Sequence, residues 1–192
     1  MNEQAVEYLQ DDPHLRPVIN EHGPVTIEPA DDLFQRMVVS IIRQQVSMES
    51  AAATRERLYN TVDVEPTTIL ETDTDTLHDV GLSQQKASYI HNIAEAFLEN
   101  NYSRQYFDGM NDEEVMNELT EIKGVGPWTA RMQLIFGLGR EDVFPVGDLG
   151  IRKGMQSLYG EDTTRAEMRD IAGHWQPYRS YASLYVWRAY EG

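Results

Sequence analysis

What most constrains this chain is its punctuation. From residue 31 onward, apolar residues recur at three- and four-residue spacing in short blocks. Each block opens at a residue that caps a helix, or closes at a glycine or proline. Leu33, Phe34, Met37, Val38, Ile41 and Ile42 form one stripe over 31–46, with Asp31 and Asp32 at its start. Ser47 opens a helix to Tyr59, and Asp73 opens a short one that Gly81 ends. Ser83 opens the next, with Ala87, Ile90, Ile93, Ala94 and Phe97 on one face. Asn111 with Glu114, and Thr164 with Glu167, are capping boxes. Pro127 suits the first turn of a helix to about Leu138. Asp148 caps a helix through Ile151, Met155 and Leu158, and Pro177 begins the last, through Tyr181, Leu184, Tyr185 and Trp187. Only Val25-Thr26-Ile27 reads as extended. The pattern predicts an all-α fold of about ten helices.

Composition narrows the chemistry. The chain has no cysteine, which excludes disulfides, thiolate-bound zinc, iron–sulfur clusters and a cysteine nucleophile. His14, His22, His78, His91 and His174 form no ligand pair on one helix. There is no Walker loop, dinucleotide fingerprint or nucleophile elbow. The acidic start carries no signal peptide and no apolar run spans a membrane, so a cytoplasmic protein is expected. The net charge is −16, from 32 acidic and 16 basic residues, and only three of the basic residues are lysine. Such a composition suits a high-salt cytoplasm. The charge is uneven: residues 1–122 hold 24 acids and 7 bases, whereas 123–192 hold 8 acids and 9 bases. A surface spared from acid can meet an anion.

Four constellations could carry function. Ile122-Lys123-Gly124-Val125-Gly126-Pro127-Trp128-Thr129 reads as helix, glycine turn, helix; the turn's backbone N–H groups and the second helix's dipole would suit a phosphate. Spacing alone leaves a plain αα-hairpin the simpler reading. Asp148, in Phe144-Pro145-Val146-Gly147-Asp148-Leu149-Gly150, is explained by capping, or else presents a carboxylate to an electron-poor centre. Gln44 and Gln45 end an apolar helix as solvated amides or as fingers that enter a groove. Trp128, Trp175 and Trp187, with Tyr178, Tyr181 and Tyr185, are core aromatics or the walls of a stacking pocket.

Taken in order, Ile41-Ile42-Arg43-Gln44-Gln45-Val46-Ser47, Gly81-Leu82-Ser83…Lys86-Ala87, the glycine hairpin with its Trp128-Thr129-Ala130, Asp142-Val-Phe-Pro-Val-Gly-Asp148-Leu-Gly-Ile151-Arg152 and Trp175-Gln-Pro-Tyr-Arg179-Ser-Tyr-Ala182 resemble the helix-hairpin-helix DNA glycosylase superfamily. The likeness is to its alkylation-repair branch, DNA-3-methyladenine glycosylase II, and runs from about Asp31 to Trp187. It implies one glycosylase domain over 1–192, with two apposed helical subdomains and a cleft between them, the hairpin at 112–138 and the catalytic segment at 143–153. The additional N-terminal β domain of larger members is not expected.

The resemblance further implies release of alkylated purines such as 3-methyladenine and 7-methylguanine from duplex DNA, leaving an abasic site. Asp148 becomes the catalytic carboxylate. Trp128, Trp187 and Met132 line the base pocket, and Gln44 and Gln45 supply the wedge that fills the vacated stack. Gly124, Val125, Gly126, Lys123, Ser83 and Lys86 meet phosphate. Strand-cleaving relatives carry a Schiff-base lysine where this chain has Trp128, which implies glycosylase activity without lyase activity. No cofactor is required, although a structural K⁺ or Na⁺ on the carbonyls of Thr120, Ile122 and Val125 fits the pattern. The expected partner is double-stranded DNA containing damaged bases, with no membrane and no nucleotide cofactor. Two alternatives stand beside this reading: a non-catalytic module that senses damaged duplex through the same hairpin, and a glycosylase for another lesion such as uracil or hypoxanthine.

Overall fold

The computed structural model describes residues 2–191. Their regular structure is helical: α1 (Glu3–Leu9), α2 (Leu15–His22), α3 (Leu33–Arg43), α4 (Met48–Thr61), α5 (Pro66–Glu71), α6 (Thr74–Asp79), α7 (Gln84–Asn100), α8 (Arg104–Phe107), α9 (Asp112–Thr120), α10 (Pro127–Met132), α11 (Leu149–Tyr159), α12 (Arg165–Gly173) and α13 (Arg179–Glu191). No strand occurs among the described residues, and 23–30, which hold Val25-Thr26-Ile27, run irregularly. No helix among them is long and apolar enough to cross a membrane.

The predicted caps act as capping residues. The side chains of Asp32, Ser47, Asp73, Ser83, Asn111, Asp148 and Thr164 each accept from an amide three residues on. The helices beyond the expected ten or so are mostly quiet in sequence. α2 and α5 have no side-chain cap, and α8 is four residues long. The last helix begins at Arg179 rather than Pro177. The segment after Pro127 is α-helical only to Met132, then Gln133–Gly137 makes one turn of π-helix. A tertiary demand accompanies that change: the buried Gln133 amide donates to Ser40 Oγ at 3.0 Å and to the Arg36 carbonyl at 3.4 Å, both on α3.

The chain divides into two compact units. Unit 1 comprises Met1–Pro29 and Gly139–Gly192. Leu9, Leu15, Ile19, Met155, Trp175 and Tyr185 form its core. α11 lies against α13 with backbones close, because a Cβ on Gly154 would strike the Val186 carbonyl oxygen. The far end of α11 is tied to the N-terminal helices through Asp12. Its Oδ2 accepts from Tyr159 at 2.7 Å and Trp175 Nε1 at 2.9 Å, and its Oδ1 from the amides of His14 and Leu15. Burial alone would push the Asp12 carboxyl up. The four donors outweigh it and hold the group below the usual carboxylate value.

Unit 2 is Ala30–Leu138. α3 runs through its core, burying Phe34, Met37, Val38 and Ile41, and packs on α7, which buries Ile90, Ile93 and Phe97. Each such side chain contributes about 1.5–3 kcal/mol by leaving water. Arg36 on the same helix lies 4.9 Å from the Phe136 ring, and burial, with Arg43 and Arg55 nearby, lowers its pKa to about 10.

Candidate functional site

In unit 1 the centre is Asp148. The loop leading to it is pinned at its base. Arg179 holds Asp142 through two side-chain bonds of 2.7 and 3.0 Å, and Ser180 Oγ donates to the Arg140 carbonyl at 2.7 Å and accepts from the Val143 amide at 2.9 Å. The Asp148 amide then closes a turn on the Pro145 carbonyl at 2.8 Å. Asp148 is half-buried at the head of α11 and uses one oxygen twice. Its Oδ1 accepts from the Ile151 amide at 2.9 Å and from the Trp187 indole Nε1 at 2.8 Å. The capping reading of Asp148 is thus correct and incomplete: the cap bond and the indole together aim the carboxylate.

Two glycines frame it for different reasons. A Cβ on Gly150 would stand 2.8 Å from Trp187 Cδ1 and 3.1 Å from Asp148 Oδ1, so a bare position lets the indole reach the carboxylate. A Cβ on Gly147 would meet nothing within 4 Å, so the residue before Asp148 borders open space. Trp187, expected as a pocket wall, is half-buried and also positions the carboxylate. Gly150 and Gly154 were invisible as site residues in sequence. Their role depends on where α13 lies, and the only hint is a glycine inside a well-capped helix.

In unit 2 the hairpin spans α9 and α10. Gly124 has φ +106°, and a Cβ there would collide with the Tyr89 ring, so the fold itself demands glycine. Gly126 has an ordinary extended backbone with open space where a Cβ would be. Nothing inside the protein requires that residue to be bare. Two carbonyls of the turn are engaged by side-chain amides: Asn92 Nδ2 donates to Lys123 at 3.0 Å and Gln44 Nε2 to Gly124 at 3.1 Å. The Ile122 carbonyl accepts the Val125 amide at 2.9 Å. Oxygen donors at a helix C-terminus are the chemistry a hard monovalent cation takes.

The two adjacent glutamines part company. Gln44 is a strut, donating also to Thr129 Oγ1 at 3.0 Å, and so fastens the α3–α4 turn to the hairpin. Gln45 is exposed at the tip, with φ +57°, a conformation that few non-glycine residues adopt. Trp128 and Met132 sit one turn apart on α10, half-buried and buried respectively. Lys123 is exposed in the turn. Ser83 caps α7 with its hydroxyl. The Lys86 ammonium donates to the Ile42 carbonyl at the end of α3, at 2.7 Å, and burial lowers its pKa. That bond uses one of the ammonium's three donors and leaves its charge in place on a half-buried side chain.

A family described as HhH-GPD superfamily base excision DNA repair protein matches residues 38–177. The chain is 32% identical over 188 residues to YfjP of Bacillus subtilis, covering 92% of this chain and 66% of that protein. It is 30% identical to the alkylbase DNA glycosidase-like protein mag2 of Schizosaccharomyces pombe, covering 95% of this chain and 93% of mag2. Among solved structures, the S. pombe 3-methyladenine DNA glycosylase Mag1 in complex with abasic DNA superposes with a TM-score of 0.88 at 26% identity, over 96% of this chain and 95% of Mag1.

Proposed function

The chain belongs to the HhH-GPD superfamily of base excision DNA repair proteins, and from that premise we propose that it excises alkylated purines from duplex DNA as a monofunctional DNA-3-methyladenine glycosylase of type II. The observation that carries this reading is the Asp148 carboxylate, held by the Ile151 amide and the Trp187 indole beside a side-chain-free Gly147.

The chemistry needs little else. A purine alkylated at N3 or N7 is already cationic. When the C1′–N bond breaks, the base takes the electron pair and leaves neutral, while the sugar gains oxocarbenium character. A fixed carboxylate stabilises that cation, and a water then adds at C1′ and gives up its proton. The nucleotide must first leave the stack. The exposed Gln45, rather than the engaged Gln44, is the proposed wedge. Trp128, Trp187 and Met132 are the proposed base contacts. Gly124, Val125 and Gly126, with Lys123 beside them and Ser83 and Lys86 at the head of α7, are the proposed phosphate contacts. The open space at Gly126 supports backbone approach there. The carbonyls of Thr120, Ile122 and Val125 would hold K⁺ or Na⁺, which supplies positive charge at the turn. Trp128 has no amine for a Schiff base, which supports base release without strand cleavage.

The test is release of free bases from methylated duplex across a potassium chloride series, with strand breaks scored before and after alkali. 3-Methyladenine or 7-methylguanine should appear, with breaks only after alkali. Breaks without alkali overturn the monofunctional assignment. Release of uracil or hypoxanthine with no alkylated purine overturns the substrate assignment. Lesion binding without any release returns the chain to a damage-sensing module.

A further inference from the structure

Between α11 and the start of α12, within unit 1, lies a depression of about 380 Å³. Arg152, Lys153 and Arg165 line it, with the exposed Leu149 and the buried Met168 beside them and Asp162 as the one carboxylate. We infer that this depression grips the sugar–phosphate backbone of the damaged strand beside the excised nucleotide, as a second DNA contact separate from the glycine hairpin. The inference rests on the glycosylase reading and extends it.

Charge is the first support. The protein carries two acids for every base. Among the described residues neither Lys153 nor Arg165 forms an ion pair, and both are exposed at the same depression. Arg152 makes a long 3.4 Å bond to the Asp148 carbonyl, and its charge too has no carboxylate partner. Three such cations at one place suit an anion from outside.

Position is the second. α11 begins at Asp148 itself. Arg152 and Lys153 follow four and five residues on, which is about 6–7.5 Å along the helix axis. Successive phosphates of one strand rise about 3.4 Å each. Both cations therefore lie about one helical turn from Asp148, within reach of the phosphates that flank a sugar held there.

The lining is the third. Leu149 is 56% exposed, next to Asp148 and on the rim. An exposed leucine beside cations offers a deoxyribose its apolar face and the phosphate its charge.

The test uses the full chain on an Asp148→Asn background, so that binding is read without turnover. Affinity for methylated duplex is measured by fluorescence anisotropy over a potassium chloride series. Each lost phosphate contact should lower the slope of log K against log salt by about 0.9. Lys153→Ala with Arg165→Ala should flatten the slope by nearly two and weaken binding at least tenfold at low salt. Arg104→Ala, an exposed arginine in unit 2, should leave the slope unchanged. A double variant with the parent's slope and affinity overturns the inference while the glycosylase reading stands. A parent that binds no duplex at any salt overturns that reading, and this inference with it.

Discussion

Replacing Gly150 with alanine should slow base release while barely touching the fold. The new Cβ would stand 2.8 Å from Trp187 Cδ1 and 3.1 Å from Asp148 Oδ1. Carbon atoms settle at about 3.5–4.0 Å, so the indole must retreat by several tenths of an ångström or more. The Nε1···Oδ1 bond of 2.8 Å then stretches toward lengths at which it no longer counts as a hydrogen bond. A bond to a charged group is worth about 1.5–3 kcal/mol. If that much orientation is lost in the transition state, release slows about ten- to a hundredfold. Stability moves less. Alanine gains about 0.5–1 kcal/mol of helix preference over glycine, and crowding costs about 1–3 kcal/mol, so the two partly offset. Trp187→Phe removes the same N–H from the other side and keeps an aromatic ring. Because both changes break one bond, their combination should cost little more than either alone. Single-turnover release rates and thermal midpoints of the four proteins decide it. A parent-like rate for Gly150→Ala, or full additivity in the double variant, refutes the positioning role.

Three further outcomes follow from the same geometry. Gly124→Ala should destabilise the protein by more than 1 kcal/mol, because it combines positive φ with the Tyr89 collision, whereas Gly126→Ala should melt like the parent yet bind DNA more weakly; equal melting losses would refute the distinction. Lys86→Met should cost about 1.5–3 kcal/mol by stripping the Ile42 carbonyl of its donor, and should flatten the salt slope of DNA binding by about 0.9; an unchanged slope would remove Lys86 from the phosphate contacts. Asp12 titrates below its ordinary value in the folded protein, so its stabilisation is complete above the unfolded carboxylate pKa of about 3.9 and disappears as pH falls through the folded value. Thermal midpoints measured downward from pH 5 should therefore drop more steeply for the parent than for Asp12→Asn, and parallel curves would contradict this.

Much of the fold was legible because a helix start is local chemistry. Ser47, Asp73, Ser83, Asn111 and Thr164 announce their helices through an oxygen that reaches an amide three residues away. α2 and α5 lack that oxygen and stayed silent. The π turn escaped notice because it goes with Gln133 reaching residues of α3 far back in the chain. The site divides in the same way. Asp148 and the glycine hairpin stand out as motifs. Gln44 and Gln45 are the same residue type side by side, and only the bond to Gly124 and the positive φ tell strut from tip. That Lys86 also braces the end of α3 is not legible, because sequence does not show where α7 brings it.

The central claim is that Asp148 performs chemistry beyond capping its helix, and Asp148→Asn separates the two roles. Asparagine is as good a cap as aspartate and keeps an oxygen for the Ile151 amide and the Trp187 indole, so the helix and the pocket should survive. It lacks the charge that would face the departing base's sugar. Base release from methylated duplex and lesion binding should be measured on parent and variant under identical salt. Binding and melting should match the parent, with release reduced by several orders of magnitude. A variant that releases bases at the parent's rate would show that Asp148 is only a cap.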